Sequence, residues 1–222
     1  YLSNNNFITK EWNALNVLVQ NASTVGLLDL KMLSQYDNNN FVFFDKLNSN
    51  KFNLLYLLGS DNLEFKKKNE FIVYQGSHGD RGADLADVIL PSAAYTEQNG
   101  LYSNLEGRVQ ECKKASYPIG DSLENWKIFN LILKKLGKIE SLNNFETLRN
   151  EAINSTINFS QMNDLPKRLI NNNLKINSEF YSEKVLIRKV DYFYTNSVSR
   201  ASKTMSECRQ VNEKIPKTGT DN

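Results

Sequence analysis

Cysteine and histidine are nearly absent from this sequence. Its 222 residues include two cysteines, Cys112 and Cys208, and a single histidine, His78. The two cysteines lie far apart and form no CxxC pair, whereas zinc and iron–sulfur sites commonly take four cysteine or histidine ligands. Cysteine and histidine of this chain alone therefore cannot build such a site. We predict no metal site and no cofactor site within it.

The sequence also lacks an excess of charge and a long apolar run. Lys and Arg total 27 against 25 Asp and Glu, a net charge of +2, so electrostatics give no reason to expect a nucleic-acid partner. The longest uninterrupted apolar run, 54–58, is far shorter than the roughly 20 residues of a membrane-spanning helix. We therefore expect no nucleic-acid binding and no direct membrane insertion.

Glycine and proline are sparse, with 10 and 4 residues, while asparagine occurs in runs at 4–6, 38–40 and 171–173. Short runs of this kind are more typical of codon bias in an AT-rich genome than of a prion-like function. The sequence starts at Tyr1, and no basic or apolar targeting segment opens it. We expect a fragment, a processed product or part of a longer polypeptide.

One segment, 73–110, concentrates glycines, carboxylates and the histidine. A β-branched and aromatic run at 71–74 predicts a strand that ends at Gly76, and 87–91 predicts a second strand, stopped by Pro91. The run 52–58 predicts a strand before them. Strand, crossover and strand indicate an α/β fold with a mostly parallel sheet flanked by helices. The alternation of polar residues over 104–110 predicts one more strand, with a wholly polar face.

Helical spacing of apolar residues marks the other elements. Residues 12–22 predict an amphipathic helix that ends near Gly26, and 123–136 predict another, opened by a capping box at 121–124. Weaker patterns predict helices at 145–156 and 160–171, a strand at 184–194, and a helix with an apolar stripe at 198–208. We therefore divide the chain into an incomplete α/β domain at 1–140 and a mostly helical extension with a polar tail at 141–222.

Several motifs occur together and in order: YQG at 74–76, HGD at 78–80, ADVILP at 86–91, AAYTE at 93–97 and NxEGRxQ at 104–110. This segment resembles the largest iron–sulfur subunit of respiratory complex I, NADH:ubiquinone oxidoreductase, and more generally the molybdopterin oxidoreductase fold. Further matches cover nearly the whole chain; they lie at 12–30, 57–61, 125–128, 191–194 and 199–208.

The resemblance implies a structural, redox-inert role in the C-terminal part of that subunit, supporting electron transfer from NADH to ubiquinone. The enzyme would be a proton-translocating NADH dehydrogenase in which this chain itself is non-catalytic. The iron–sulfur clusters, 2Fe-2S and 4Fe-4S, would belong to the N-terminal part of the subunit or to a separate chain. Implied partners are that N-terminal part and other peripheral-arm subunits, on the matrix side of the mitochondrial inner membrane.

The residues that carry the resemblance are interpreted as a structural motif. For His78 we favour a hydrogen-bonding role over a proton carrier or ligand, because the chain has no second histidine. The glycine loop lacks the P-loop and GxGxxG spacings, so packing is favoured over phosphate binding. Asp87 is interpreted as a strand-entry residue, and Glu106 with Arg108 as a hydrogen-bonded pair. The full motif set is Gly76, His78, Gly79, Asp80, Asp87, Pro91, Glu97, Asn104, Glu106, Gly107, Arg108 and Gln110.

Two alternatives remain open from the sequence. One is a fragment of an active molybdenum-dependent oxidoreductase such as a formate dehydrogenase, which molybdenum analysis of the purified assembly would reveal. The other is a free-standing binding module, which would purify as a stable monomer. Three strands at 52–58, 71–74 and 87–90 make a small sheet with open edges. We therefore expect the sheet to need strands from the rest of the subunit or from a partner.

Overall fold

The computed structural model describes the following residues: 5, 7, 18, 19, 22, 24–32, 46–61, 63, 65–138, 144–165 and 191–214. The chain divides into two compact units that interleave along the sequence. Unit 1 comprises 1–39, 99–113 and 142–185, and unit 2 comprises 40–98, 114–141 and 186–222. The predicted division at residue 140 stays a prediction.

Unit 2 is built on a parallel sheet. Its strands are β1 (Leu54–Leu58), β2 (Phe71–Gly76) and β3 (Val88–Pro91), in the order β1-β2-β3. Leu54 pairs with Phe71, and Val73 pairs with Val88. The predicted α/β class with a parallel sheet is therefore confirmed, and all three predicted strands are present with small changes at their ends.

One face of this sheet carries the core of unit 2. Side chains alternate between the two faces of a strand, so Leu55 and Leu57 of β1 lie on the same face as Ile72 and Tyr74 of β2. These four side chains are buried together with Leu47. The short helix α2 (Arg81–Asp84) follows the loop after β2, and Ala83 packs against this cluster.

The opposite face is covered in part by helix α3 (Asn125–Lys135). Asn125 Oδ1 accepts a hydrogen bond from Gln75 Nε2 at 2.7 Å, and the rings of Phe129 and Tyr56 lie 5.6 Å apart. Ile128 is buried. The predicted capping box is wrong, because the helix begins after Glu124, whose side chain makes no capping bond. The helix ends at Lys135 with Leu136 as its C-cap, close to the predicted end at 136.

Unit 1 contains an antiparallel hairpin rather than the strand predicted over 104–110. Its strands are β4 (Gly100–Ser103) and β5 (Val109–Cys112). The chain reverses between them, so 104–107 form the turn, and the alternation of polar residues there reflects turn chemistry. Unit 1 also holds the helices α1 (Thr24–Asp29), α4 (Phe145–Ser155) and α5 (Ile157–Ser160).

Helix predictions in unit 1 fared unevenly. The helix predicted at 145–156 is confirmed. Of the helix predicted over 160–171, the structure describes 160–165, and 161–164 form a turn and a bend. Gly26 lies inside α1 and does not end a helix. A Cβ added at Gly26 would lie 3.6 Å from the Cβ of Ser103. Most of the helix predicted over 12–22 lies outside the described residues.

Residues 191–214 complete unit 2. Helix α6 (Ser197–Ala201) starts with a capping box in which Asn196 Oδ1 accepts from Ser199 N and Ser199 Oγ accepts from Asn196 N. Helix α7 (Lys203–Lys214) follows after Ser202. The predicted helix over 198–208 is therefore present as two pieces. The strand predicted over 184–194 is absent at 191–194, and its other residues lie outside the described part. No described helix is long and apolar enough to cross a membrane.

Candidate functional site

The loop 77–80 joins β2 to α2 at the carboxyl edge of the parallel sheet, the edge at which open α/β folds bind ligands. Gly79 has a φ of 77°, a conformation that glycine adopts without strain. Asp80 has a φ of 70°, and its Oδ1 accepts a hydrogen bond from Arg81 N at 2.9 Å at the start of α2. Ser77 Oγ and His78 Nδ1 lie 2.8 Å apart. The loop is therefore held largely by its own polar groups.

Gly82, in helix α2 directly after this loop, has a packing role. A Cβ added at Gly82 would lie 2.5 Å from the Ser60 carbonyl oxygen and 3.1 Å from the Tyr74 ring. Its amide donates to the Asp61 carbonyl at 3.0 Å. The close approach at this glycine is thus made by the chain's own backbone and leaves no room there for a ligand.

Arg200 joins the loop to the segment after β1. Its Nε donates to Asp80 Oδ2 at 2.6 Å, and its Nη2 donates to Asp61 Oδ2 at 3.4 Å. The Tyr74 hydroxyl donates to the other oxygen of Asp61, whose residue is only 8% exposed. The pKa of Tyr74 lies well above its usual value, mainly because the side chain is buried and also because its hydroxyl is bonded to Asp61. We call Asp61, Tyr74, Asp80 and Arg200 the Arg200 cluster.

A second ion pair, between Arg209 and Asp191, lines the same cleft as Asp80 and Arg200. Arg209 Nε donates to Asp191 Oδ2 at 2.8 Å, and its guanidinium carbon lies 5.0 Å from the centre of the Tyr194 ring. Partial burial would raise the pKa of Asp191, but the amide of Phe193 and the side chain of Arg209 donate to it and lower that pKa overall. A cleft of about 510 Å³ lies among these groups; its lining is His78, Asp80, Arg81, Asp191, Tyr194, Ser197, Arg200, Ala201 and Arg209.

The part of the motif set between 87 and 97 serves the sheet. Asp87 Oδ2 accepts from Ile72 N, and Asp87 N donates to Ile72 O, both at 2.8 Å. Asp87 therefore bonds the backbone of β2 directly before β3 begins, which agrees with its interpretation as a strand-entry residue. Asp87 Oδ1 accepts a hydrogen bond from Lys67 Nζ at 2.6 Å. The pKa of Asp87 is lowered mainly by this bond and to a smaller extent by the bond from the Ile72 amide. Pro91 ends β3 opposite Gly76, and Glu97 Oε2 accepts from Ala94 N at 3.0 Å.

The remaining motif residues build the hairpin turn of unit 1. Asn104 Oδ1 accepts from Glu106 N at 3.0 Å and from Arg108 N at 2.9 Å. Gly107 has a φ of 85°, which favours glycine. Glu106 is exposed and Arg108 half-buried, and the turn is organised by Asn104 rather than by the predicted Glu106–Arg108 pair. Gln110 lies in β5 opposite Tyr102.

The motif set is therefore divided between the two units. Gly76 ends β2, and His78, Gly79 and Asp80 lie in the loop that follows it, while 104–110 lie in the hairpin of unit 1. Within the described residues, no group of three or more His, Cys, Asp or Glu side chains could hold a metal ion.

Sequence analysis missed three buried or clustered charges. Asp61 and Arg200 lie in ranges that carry the family resemblance, but nothing in the sequence indicates that they pair. The two residues are 139 positions apart, so no local pattern reveals their contact. Glu124 is buried and accepts from Trp126 Nε1 at 2.8 Å and Lys114 Nζ at 3.2 Å. Burial works to raise the pKa of Glu124, but these donors and Lys127 lower it overall. The position of Glu124 directly before Asn125-Trp126-Lys127 was the only local sign of this cluster, since Trp126 and Lys127 both donate to it.

Two family models match the chain. The model described as molybdopterin oxidoreductase matches residues 1–135, and a model of the C-terminal part of an NADH-ubiquinone oxidoreductase subunit matches residues 175–208. The second match contains Arg200, and the first contains Asp61, Tyr74 and Asp80.

Curated relatives agree with both models. The NADH-ubiquinone oxidoreductase 75 kDa subunit of Reclinomonas americana is 35% identical over 91% of this chain and 29% of that protein. The mitochondrial NADH dehydrogenase (ubiquinone) iron-sulfur protein 1 of Solanum tuberosum is 33% identical over 95% and 28%. The mitochondrial NADH-ubiquinone oxidoreductase 78 kDa subunit of Candida albicans is 36% identical over 91% of this chain and 28% of that protein.

The chain spans less than a third of the length of these relatives. It belongs to the molybdopterin oxidoreductase family, with relatives among the 75 kDa and 78 kDa subunits of NADH-ubiquinone oxidoreductase, which is complex I.

Proposed function

We propose that this chain is a structural, redox-inert part of the largest iron–sulfur subunit of complex I and supports electron transfer from NADH to ubiquinone in the peripheral arm. The similarity extends over more than nine-tenths of the chain, and the match at 175–208 is to a model built for an NADH-ubiquinone oxidoreductase subunit. That second match favours complex I over a molybdenum enzyme such as a formate dehydrogenase.

The Arg200 cluster is the observation that carries the redox-inert role. The family model implies a phosphate-bearing pterin cofactor, and the carboxyl edge of a parallel sheet is where an α/β fold would bind such a group. Here that edge presents the carboxylates of Asp61 and Asp80, which repel phosphate. The guanidinium of Arg200 is already bonded to both. The residues of this edge therefore do not fit the cofactor.

The packing of Gly82 at the start of α2 leads to the same conclusion. A loop that cradles phosphate leaves glycine Cα atoms and amides open to the ligand. The Gly82 Cα instead faces the Ser60 carbonyl and the Tyr74 ring, and the Gly82 amide is bonded to Asp61. Of the arginines that line the cleft, Arg200 and Arg209 are each paired with a carboxylate of the same lining, Asp80 and Asp191.

The remaining parts of the proposal follow from membership of that subunit. The 2Fe-2S and 4Fe-4S clusters belong to the portion of the subunit outside this chain, and the partners are that portion and other peripheral-arm subunits. The chain lies on the matrix side of the mitochondrial inner membrane and is held there through the complex. Residues 1–140 form the incomplete α/β domain and 141–222 the helical extension.

The proposal is tested by separating assembly from turnover. Arg200→Ala removes the charge that both carboxylates share, and Lys203→Ala in the next helix is the matched control, since its side chain is 91% exposed. Assembled complex is quantified on native gels, and NADH:ubiquinone activity is divided by that amount. For a structural role, Arg200→Ala lowers the amount of complex and leaves activity per complex near normal.

His78→Ala is the milder companion variant, because only the bond to Ser77 is lost. Tenfold lower turnover per complex with full assembly, which is about 1.4 kcal/mol on the barrier, would place the cleft in the redox path and refute the structural role. Stoichiometric molybdenum in the purified complex would refute it independently.

A further inference from the structure

Strand β1 has the composition of a central strand but lies at an edge of the sheet. Its sequence, LLYLL, is apolar throughout, and such runs are typical of parallel strands that are buried on both faces and paired on both sides. Among the described residues, β1 pairs only with β2. Leu54 and Leu58 are 59% and 46% exposed. An exposed apolar edge strand of this kind is an aggregation hazard unless something covers it.

The backbone groups at this free edge can be identified. The Gly59 amide donates to Gln75 O, and Phe71 N donates to Asn53 O, both at 2.9 Å. Because the hydrogen-bonding direction alternates along a strand, the odd-numbered residues of this segment bond to β2. The amides and carbonyls of Leu54, Tyr56 and Leu58 therefore point away from β2, towards the free edge.

An apolar patch continues from this edge onto helix α3. Leu54, Tyr56 and Leu58 lie on the sheet face that α3 covers, and Tyr56 contacts Phe129. Phe129, Leu133 and Leu136 recur at helical spacing, so they form one stripe along α3, and all three are exposed. The patch is defined as Leu54, Leu58, Phe129, Leu133 and Leu136.

The opposite edge of the sheet is different. At the end of β3, Ser92 forms a parallel bridge with Leu123. Leu123 N donates to Pro91 O at 3.2 Å, and Ala93 N donates to Leu123 O at 2.8 Å. Part of the β3 edge is therefore taken by the chain's own backbone, whereas β1 has no such second partner among the described residues.

We propose that the free edge of β1 and the apolar patch beside it bind the part of the same subunit that lies outside this chain, which adds a strand to β1 and an apolar helix face to the patch. The proposal rests on the proposed function. The occupant is chosen because the matched region is only 29% and 28% of the length of two relatives, and a strand flanked by a helix is the repeating element of a parallel sheet.

Residue-resolved hydrogen exchange on the assembled complex tests this edge. In a paired β1, the amides of Tyr56 and Leu58 exchange as slowly as that of Leu57, within about tenfold, since all are then hydrogen-bonded. If Leu57 is protected while Tyr56 and Leu58 exchange at the rate of open amides, the edge is free and the proposal is overturned.

A cross-link identifies the occupant. Leu58→p-benzoylphenylalanine is photolysed in the assembled complex and the joined peptide is sequenced, with Tyr192→p-benzoylphenylalanine, at an 81% exposed position of the same unit, as control. The expected product from position 58 joins this chain to the remaining part of the subunit. A product with another subunit or with this chain itself, or none in a fully assembled complex, overturns the proposal. Absence of this chain from the purified complex would overturn the proposed function as well, and mass spectrometry of the complex distinguishes that result.

Discussion

The guanidinium Nε of Arg200 lies 2.6 Å from Oδ2 of Asp80, although the two residues are 120 positions apart. Asp80 begins helix α2 in the loop after β2, and Arg200 lies in the last turn of α6. The same guanidinium reaches Asp61, which follows β1. One side chain from the region that the second family model matches therefore fixes two loops at the carboxyl edge of the sheet.

Replacing Arg200 by Ala should destabilise unit 2 by about 1 to 3 kcal/mol, because the buried Asp61 and the partly buried Asp80 lose their cationic partner. The measurement is the urea unfolding midpoint of the chain co-expressed with the rest of its subunit. Lys203→Ala is the control, since its pair with Glu207 spans 3.8 Å and is largely exposed, and such pairs contribute little. Equal midpoints for both variants would show that the Arg200 cluster is not a stabilising element.

Adding a methyl group at Gly82 should also destabilise the loop. The new Cβ would lie 2.5 Å from the Ser60 carbonyl oxygen, so either the loop or the end of β1 must move, at about 1 to 3 kcal/mol. Gly26→Ala is the matched control, because its Cβ would meet Ser103 at an ordinary 3.6 Å, and alanine favours a helix. The unfolding midpoint should fall for Gly82→Ala and stay level or rise for Gly26→Ala.

The sheet could be predicted from sequence because its signal is local. Runs of apolar residues at 54–58, 71–74 and 88–90 mark parallel strands whatever surrounds them, and all three are present. The polar alternation over 104–110 was misleading, since Asn104 and Gly107 serve a turn whose geometry depends on side-chain-to-backbone bonds. The Arg200 cluster joins residues from three distant segments, and no local pattern in a single sequence encodes that pairing.

Acid should weaken the link between the starts of β2 and β3. The bonds from Lys67 and the Ile72 amide lower the pKa of Asp87, below a usual value of about 4. The ionised form is therefore favoured in the folded state, and its contribution to stability is fully present above about pH 4. That contribution is lost as the pH falls through the lowered folded value.

Lys67→Met tests this pH dependence, because it removes the donor that lowers the pKa of Asp87 most. Urea unfolding midpoints of the co-expressed subunit are compared at pH 7 and at pH 3. The midpoint of the variant should be lower than that of the natural chain at pH 7, and the difference should shrink at pH 3. A difference that is the same at both values would mean that the pair does not contribute through the charge of Asp87.

The hairpin of unit 1 should depend on Asn104 more than on Arg108. Asn104 Oδ1 accepts two backbone amides, those of Glu106 and Arg108, at 3.0 and 2.9 Å, so Asn104→Ala leaves both amides to be satisfied by water, at about 1 kcal/mol. Arg108→Ala keeps both of these bonds, since only its backbone takes part in them.

Asn104→Asp is the conservative rescue, because a carboxylate oxygen accepts the same amides. Residue-resolved hydrogen exchange at Gln110 and Cys112, whose amides face β4 in the register set by the bond from Asn104 N to Arg108 O, measures the outcome in the assembled complex: exchange should be faster for Asn104→Ala, and close to that of the natural chain for Asn104→Asp and Arg108→Ala. Faster exchange for Arg108→Ala than for Asn104→Ala would show instead that the arginine side chain organises the turn.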